Sequence, residues 1–386
     1  MRIVGISFGN PDSVNTYSGV PFHLFNELNR RKMLVGKINS DQKELNDLFY
    51  GIVDFKGTIS NRSLRRNKYW RYLPSNIQKL SKRLQKLQSK LPSHDTVIQF
   101  GVAGLPLPNT VRVAHVEISV EMAASSPIFS ATYGFAKNSE QHIVKAIEGE
   151  RFFLNQFDVV WTSTTWTARG FVQEGIHPDR IWVHPPACNI SDPGPITRQW
   201  EKPRILFIGK VWEDKGGPLL LEAFRHLKSK MPSASLTIIG CQPRIKDDGV
   251  SVLGFLDKKN IEQAKILRKA YEEATIFCMP SYWESVGVVY MEAALYGLPV
   301  VMLKGQGREE VFPKDIGVHL EDPHPTLLSQ VLLELSDNPF KMYAMGREAR
   351  RYILENYTWS IVANRLIKKI EETKLCQLLQ NGKTAK

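Results

Sequence analysis

Residues 275–303 read TIFCMPSYWESVGVVYMEAALYGLPVVML. The opening TIFCM predicts a buried strand, and PSYWES predicts a turn. Gly287 to Leu295 then predicts a helix closed by Gly297 and Pro299, and PVVML predicts a second strand. Strand, helix and strand in immediate succession make a parallel pair with a crossover, so this stretch alone places the chain in the α/β class. Glu284 falls just outside the helix start and Glu292 within it, the two acids of an otherwise apolar run.

The same alternation extends outward in both directions. RILFIGK, SLTIIG and VSVLGFL read as strands, with helical patterns in GPLLLEAFRHLKSK and NIEQAKILRKAYEEA. In the first half, RIVGIS, DTVIQF, VRVAHVEI and FDVVWTS are strand candidates, and FHLFNELNRR has helical spacing. The proline-rich segment HPPACNISDPGPITRQWEKP, near residues 185–203, reads as a linker. The expected architecture is two doubly wound, Rossmann-like domains facing each other across a cleft, where ligands meet the carboxyl ends of the strands. Residues 1–195 form the first domain, 196–358 the second, and 359–386 a terminal helix returning to the first.

A chain of 386 residues is long enough for two such cores, and 42% hydrophobic with 23% charged residues suits a globular protein. No apolar run is long enough to span a bilayer. The N-terminal MRIVGISFGN reads as a first strand, because a signal peptide requires a longer apolar core. Cys188, Cys241, Cys278 and Cys376 are scattered, which suits a reducing, cytoplasmic setting and offers no metal-ligand cluster. The net charge of +12 is local: eleven Lys or Arg, and no acid, lie between Phe55 and His94. They are Lys56, Arg62, Arg65, Arg66, Lys68, Arg71, Lys79, Lys82, Arg83, Lys86 and Lys90, within an expected basic insertion over 56–91.

On spacing alone the two glutamates have two readings. In one, Glu284 is a dipole-favoured acid before the helix and Glu292 a surface position on it. In the other, eight residues at helical rise set them ~12 Å apart. That is the reach from a ribose across two phosphates to an attached sugar. Carboxylates accept hydrogen bonds from vicinal diols, and the helix start between them offers N–H groups to a phosphate.

The wider pattern favours the second reading. PSYWESVGVVYMEAALYGLPVV resembles the signature of retaining GT-B glycosyltransferases of the family 4, or group 1, type. Glu284, Gly287, Glu292, Ala293, Gly297, Pro299 and Val300 match it in order. The resemblance implies that Glu284 contacts the donor sugar and Glu292 the ribose, with Ser285, Val286 and Gly287 leading into the phosphate-facing helix start. RILFIGKVWEDKGGPLLLEAF is similar to the family's loop whose Arg and Lys, five apart, neutralise the departing diphosphate. Here those positions hold Lys210 and Lys215, and a lysine supplies charge without arginine's bidentate fork. VLGFLDKKN resembles the segment framing the nucleobase, which points to Gly254, Phe255 and Leu256. The terminal ENYTWSIVANRLIKKIEE resembles the family's last helix, with Trp359 as a packing residue.

The first half offers less. YSGVPFHLFNEL resembles the family's glycine loop, where Gly19 lets the backbone approach the donor; a plain tight turn before a helix is the alternative. His115 and Glu117 end a strand, and His115 is a candidate facing the sugar, although a strand-end histidine is also a common structural feature. Ile77, Leu80, Leu84, Leu87 and Leu91 form one helical face beside the cations. Such a helix suits an anionic membrane surface, an anionic acceptor, or a surface helix with its leucines packed inward; nucleic acid has no reader motif here.

The resemblance therefore implies a glycosyltransferase moving a sugar from a nucleoside diphosphate sugar to a glycan or lipid acceptor with retention, without metal or other cofactor. The alternatives are a non-catalytic glycan-binding or assembly protein on the same fold, and a nucleotide-sugar epimerase. A dinucleotide dehydrogenase is disfavoured, since no strand is followed by GxGxxG.

Overall fold

The computed structural model describes residues 1–41, 71–133, 135 and 139–383. The chain divides into two compact units, Met1–His184 with Ala363–Lys386, and Pro185–Val362. The proline-rich stretch therefore groups with the second unit.

The first unit holds six parallel strands: β1 (Ile3–Ser7), β2 (Leu34–Asn39), β3 (Thr96–Phe100), β4 (Val111–His115), β5 (Val159–Thr162) and β6 (Ile181–Val183). Their order is β2-β1-β3-β4-β5-β6. Every residue of β1, β3 and β5 is buried, as expected of parallel strands covered on both faces. The helices include α1 (Val20–Arg30), α2 (Pro74–Gln88), α3 (Glu140–Leu154) and α4 (Thr165–Gln173).

The second unit repeats the plan with β7 (Arg204–Ile208), β8 (Ser235–Ile239), β9 (Val250–Gly254), β10 (Ile276–Cys278), β11 (Val300–Leu303) and β12 (Gly317–Leu320). The order β12-β11-β10-β7-β8-β9 makes β7 and β10 neighbours, and there the winding reverses. Helices α5 (Gly217–Lys230), α6 (Ile261–Glu273), α7 (Val288–Leu295), α8 (Pro325–Ser336) and α9 (Pro339–Asn356) flank the sheet. A last helix, α10 (Trp359–Lys383), begins in the second unit and continues in the first. In the second unit the Trp359 Nε1–H donates to Asn189 Oδ1 at 3.0 Å, a packing role for that indole. Further along α10, Lys374 pairs with Asp95 at 2.8 Å within the first unit.

Helix α2 shows where the leucines of the basic stretch go. Ile77, Leu80 and Leu84 are buried and Leu87 and Leu91 partly so, packed on the first unit, as in the inward-packed alternative. Lys79, Lys82, Lys86 and Lys90 remain exposed. Arg71 is not part of that exposed face: its buried guanidinium lies over the rings of Phe8, at 4.8 Å, and Tyr72, at 5.2 Å. Lys56, Arg62, Arg65, Arg66 and Lys68 lie outside the described residues.

One buried acid pair in the first unit makes its stability depend on pH. Glu150 on α3 and Glu174 after α4 cap the short helix Val120–Ser125. The Val120 N–H donates to Glu150 Oε2 at 2.6 Å, and the Glu121 N–H donates to Glu174 Oε1 at 2.8 Å. The remaining oxygens, Glu150 Oε1 and Glu174 Oε2, are buried without a hydrogen-bond partner. Burial pushes Glu150 well above the usual carboxyl range and the neighbouring Glu174 adds to it, while Arg71 opposes the shift. Burial likewise raises Glu174, with the Ser119 hydroxyl and the Glu121 N–H acting the other way.

A carboxyl raised on folding keeps a proton that the unfolded chain releases, so stability falls as pH rises from the ordinary carboxyl range toward the raised value. Glu150→Gln removes that titration. Its unfolding free energy relative to wild type is expected to improve between about pH 5 and pH 8, by at most about 1.4 kcal/mol per pH unit. Denaturant titrations at several pH values check this, and a difference independent of pH refutes the raised carboxyl.

Candidate active site

Three loops leave the carboxyl edge of the second sheet side by side, after β7, β10 and β11. The first two meet closely. The Tyr282 N–H donates to the Asp214 carbonyl at 3.2 Å, and the Ser281 hydroxyl donates to the same carbonyl at 3.4 Å. Gly216, at φ +73°, caps the start of α5; a Cβ there would sit 2.0 Å from the Pro280 carbonyl oxygen. Only glycine satisfies both that conformation and that approach.

Their contact brings the expected side chains together. Lys215 Nζ donates to Glu284 Oε2 at 2.5 Å and to the Trp283 carbonyl at 3.3 Å. Both side chains are partly open to solvent, Lys215 at 24% and Glu284 at 21%. Lys210, on the same loop, is exposed. The starts of α5 and α7 carry left-handed glycines, Gly216 and Gly287, and neither has a side-chain cap. Their first-turn N–H groups and positive potential, added to two lysines, make this edge suited to a polyanion. Ser285 is half-buried and Val286 buried on the path from Glu284 to α7. At Gly287 a Cβ would come within 2.6 Å of the Tyr290 ring and 2.9 Å of Glu284 Cγ, so the turn packs on the acid itself.

Glu292 is not a surface position. Helix α7 is buried from Tyr290 to Leu295, with Glu292 only 4% exposed. Its Oε1 accepts from Lys258 Nζ at 2.6 Å and its Oε2 from the Tyr271 hydroxyl at 3.0 Å. Burial and the adjoining Glu292 charge push the Tyr271 phenol well above its ordinary value, so it remains a donor. The Tyr271 ring stacks on Tyr296 at 4.7 Å, and Arg198 Nη2 donates to the backbone carbonyls of both residues.

Residues 202–338 match the family model described as "Glycosyl transferases group 1". That match spans the second sheet and the loops just described, about a third of the chain. The chain is 28% identical over 165 residues to a GDP-mannose-dependent monoacylated alpha-(1-6)-phosphatidylinositol monomannoside mannosyltransferase of Corynebacterium glutamicum. It is 29% identical over 217 residues to a D-inositol 3-phosphate glycosyltransferase of Corynebacterium efficiens. These matches cover 39% and 49% of this chain and 42% and 50% of the relatives, half of their length or less. Among solved structures, sucrose-phosphate synthase from Thermosynechococcus elongatus aligns at TM-score 0.68 and 14% identity, over 97% of this chain and all of that one. The fold is GT-B.

Elsewhere in the second unit, Gly254 closes β9 at φ +69°, Phe255 beside it is 57% exposed and Leu256 is half-buried. Two residues that sequence reasoning passed over support the site. Lys258 is one, through Glu292. Arg308 is the other: fully buried, it donates to the carbonyls of Ser281 at 2.8 Å, Gly305 at 3.0 Å and Lys304 at 3.3 Å. It thereby ties the loop after β11 to the turn carrying Glu284. Among the described residues, no group of three or more His, Cys, Asp or Glu is placed to hold a metal ion. No helix among them is long and apolar enough to cross a membrane.

In the first unit, Gly19 caps α1 at φ +86°, after Tyr17 and Ser18, which also have positive φ. His115 ends β4 in an aromatic box, 4.9 Å from the Phe100 ring and 4.4 Å from that of Trp161. It is 1% exposed, and burial lowers it to about 3, so the imidazole is neutral at physiological pH. Its Nε2 has no hydrogen-bond partner. That placement gives His115 a packing role as well as the candidate one.

Proposed function

We propose that this protein transfers a sugar from a nucleoside diphosphate sugar to the hydroxyl of a glycan or lipid acceptor, with retention of anomeric configuration. The observation that carries this reading is the Lys215–Glu284 pair at the point where the sheet's winding reverses, flanked by two helix starts without side-chain caps. In the reaction, the bond from the anomeric carbon to the diphosphate oxygen breaks, and the acceptor oxygen bonds that carbon on the same face. The acceptor proton passes to the departing phosphate oxygen. Lys210, Lys215 and the starts of α5 and α7 stabilise charge developing on the leaving diphosphate, a preorganised electrostatic effect. Glu284 orients the sugar, and Glu292 accepts from the ribose hydroxyls. Gly254, Phe255 and Leu256 frame the base. The first unit serves the acceptor, Gly19 is the turn whose backbone approaches the donor, and His115 is a positioning residue. Retention rests on the resemblance of the motif, and the lipid or glycan acceptor on the named relatives.

Calorimetric titration with a panel of nucleoside diphosphates and their sugars tests the reading. Selective binding is expected, weakened roughly tenfold or more in Glu292→Ala, since the variant loses hydrogen bonds to a charged group. Well-folded protein that binds none of the panel would remove the transferase reading and leave a binding protein on the same fold.

The exposed cations of α2 support a peripheral role at anionic lipid by charge alone, each worth about 1 kcal/mol near such a surface.

A further inference from the structure

Glu292 has two partners, and they differ in reach. Tyr271 is 2% exposed and its hydroxyl is fixed inside the domain. Lys258 is 45% exposed and lies over a carboxylate that is only 5% exposed, so it holds the outward oxygen, Oε1. Its backbone is well braced, because the loop joining β9 to α6 carries its own hydrogen bonds. The Asp257 N–H donates to Gln263 Oε1 at 2.6 Å, and the Lys259 N–H to Asp257 Oδ1 at 3.0 Å. Asn260 caps α6 through the N–H groups of Glu262 and Gln263. The ammonium group is thus delivered from a rigid turn to one oxygen of a nearly enclosed acid.

We propose that Lys258 is itself a ligand of the ribose hydroxyls, and that the Lys258–Glu292 pair selects ribonucleotides. The inference rests on the reading of Glu292 as the ribose contact. An ammonium has three protons to donate and a carboxylate oxygen accepts more than one bond, so the pair is not saturated by its own contact. A sugar hydroxyl both donates and accepts. Beside this pair it gives its proton to Oε1 and receives one from Nζ, whereas a lone carboxylate uses only its donating side. Charge-assisted hydrogen bonds of this kind are the stronger ones.

The test uses GDP, UDP and their 2′,3′-dideoxy counterparts, titrated calorimetrically into wild type, Lys258→Met and Lys258→Arg. Wild type is expected to prefer the ribonucleotide of whichever base it binds. Lys258→Met should lose about tenfold in affinity for that ribonucleotide and little for the dideoxy form, so the preference shrinks about tenfold. Lys258→Arg, which keeps a donor and the charge, should restore most of it. An unchanged preference in Lys258→Met would make Lys258 a counter-ion only, and tighter ribonucleotide binding would make it a plug; either overturns the proposal. If wild type binds neither GDP nor UDP, the reading of Glu292 fails with it, before any variant is compared.

Discussion

Glu284→Ala is expected to lower turnover by about 10²–10³-fold while leaving the dissociation constant for a nucleoside diphosphate within about threefold of wild type. The asymmetry follows from the contacts. Glu284 lies in the turn ahead of α7 and its known partner is Lys215, at 2.5 Å. Removing the acid frees the lysine for phosphate, so affinity for the diphosphate does not suffer. The sugar loses its orienting carboxylate, and that loss falls on the transition state rather than on ground-state binding. Glu284→Gln separates charge from shape, since it keeps an acceptor on the same atoms. Single-turnover kinetics with the activated donor, alongside calorimetry, read the two quantities separately. Wild-type turnover in the alanine variant would end the assignment of Glu284.

Arg308→Met should be the most destabilising single change near the site. The guanidinium is fully buried and satisfies three backbone carbonyls from two loops. Methionine fills similar space but leaves those oxygens unpaired, at about 1–3 kcal/mol for each that cannot reach water. Relaxation of the loops returns part of this, so a net loss of about 3 kcal/mol is expected in the second unit. For a unit of this size that corresponds to a fall of about 6–12 °C in its melting temperature. Arg308→Lys keeps a charge but cannot reach all three acceptors, and should fall between. Scanning calorimetry decides; a melting temperature within about 2 °C of wild type for Arg308→Met would show that the three carbonyls find water.

What the sequence hid follows a physical pattern. The central strands of both sheets were legible because burial on both faces writes a largely apolar run, uninterrupted in Ile276–Cys278 and Val300–Leu303. The strands that escaped sequence reading, β2, β6 and β12, are all at sheet edges. Their residues are only partly covered, β6 throughout, so neither a solid run nor a clean alternation appears. The site divides in the same way. Glu284, Lys215 and Gly287 stand at fixed spacings within single loops, and spacing is what a sequence displays. Lys258 reaches Glu292 across 34 positions, and nothing in DKKN separates it from a solvated lysine. Arg308 is a residue type usually found outside, and its burial depends on carbonyls from two different loops.

The bracing of the second unit is uneven, and this bears on how such a protein diversifies. Around Glu284 the backbone is locked: Gly216 admits no side chain against Pro280, Gly287 none against Tyr290, and Arg308 pins the turn from below. Substitutions there carry a stability penalty before they can alter chemistry. At the far end, Phe255 is largely exposed and Leu256 half-buried, with no comparable constraint. Under the proposed function, a lineage can therefore change residues 255 and 256, beside the base, almost neutrally while the turn around Glu284 is inherited intact. Directed libraries aimed at donor choice belong at those two positions.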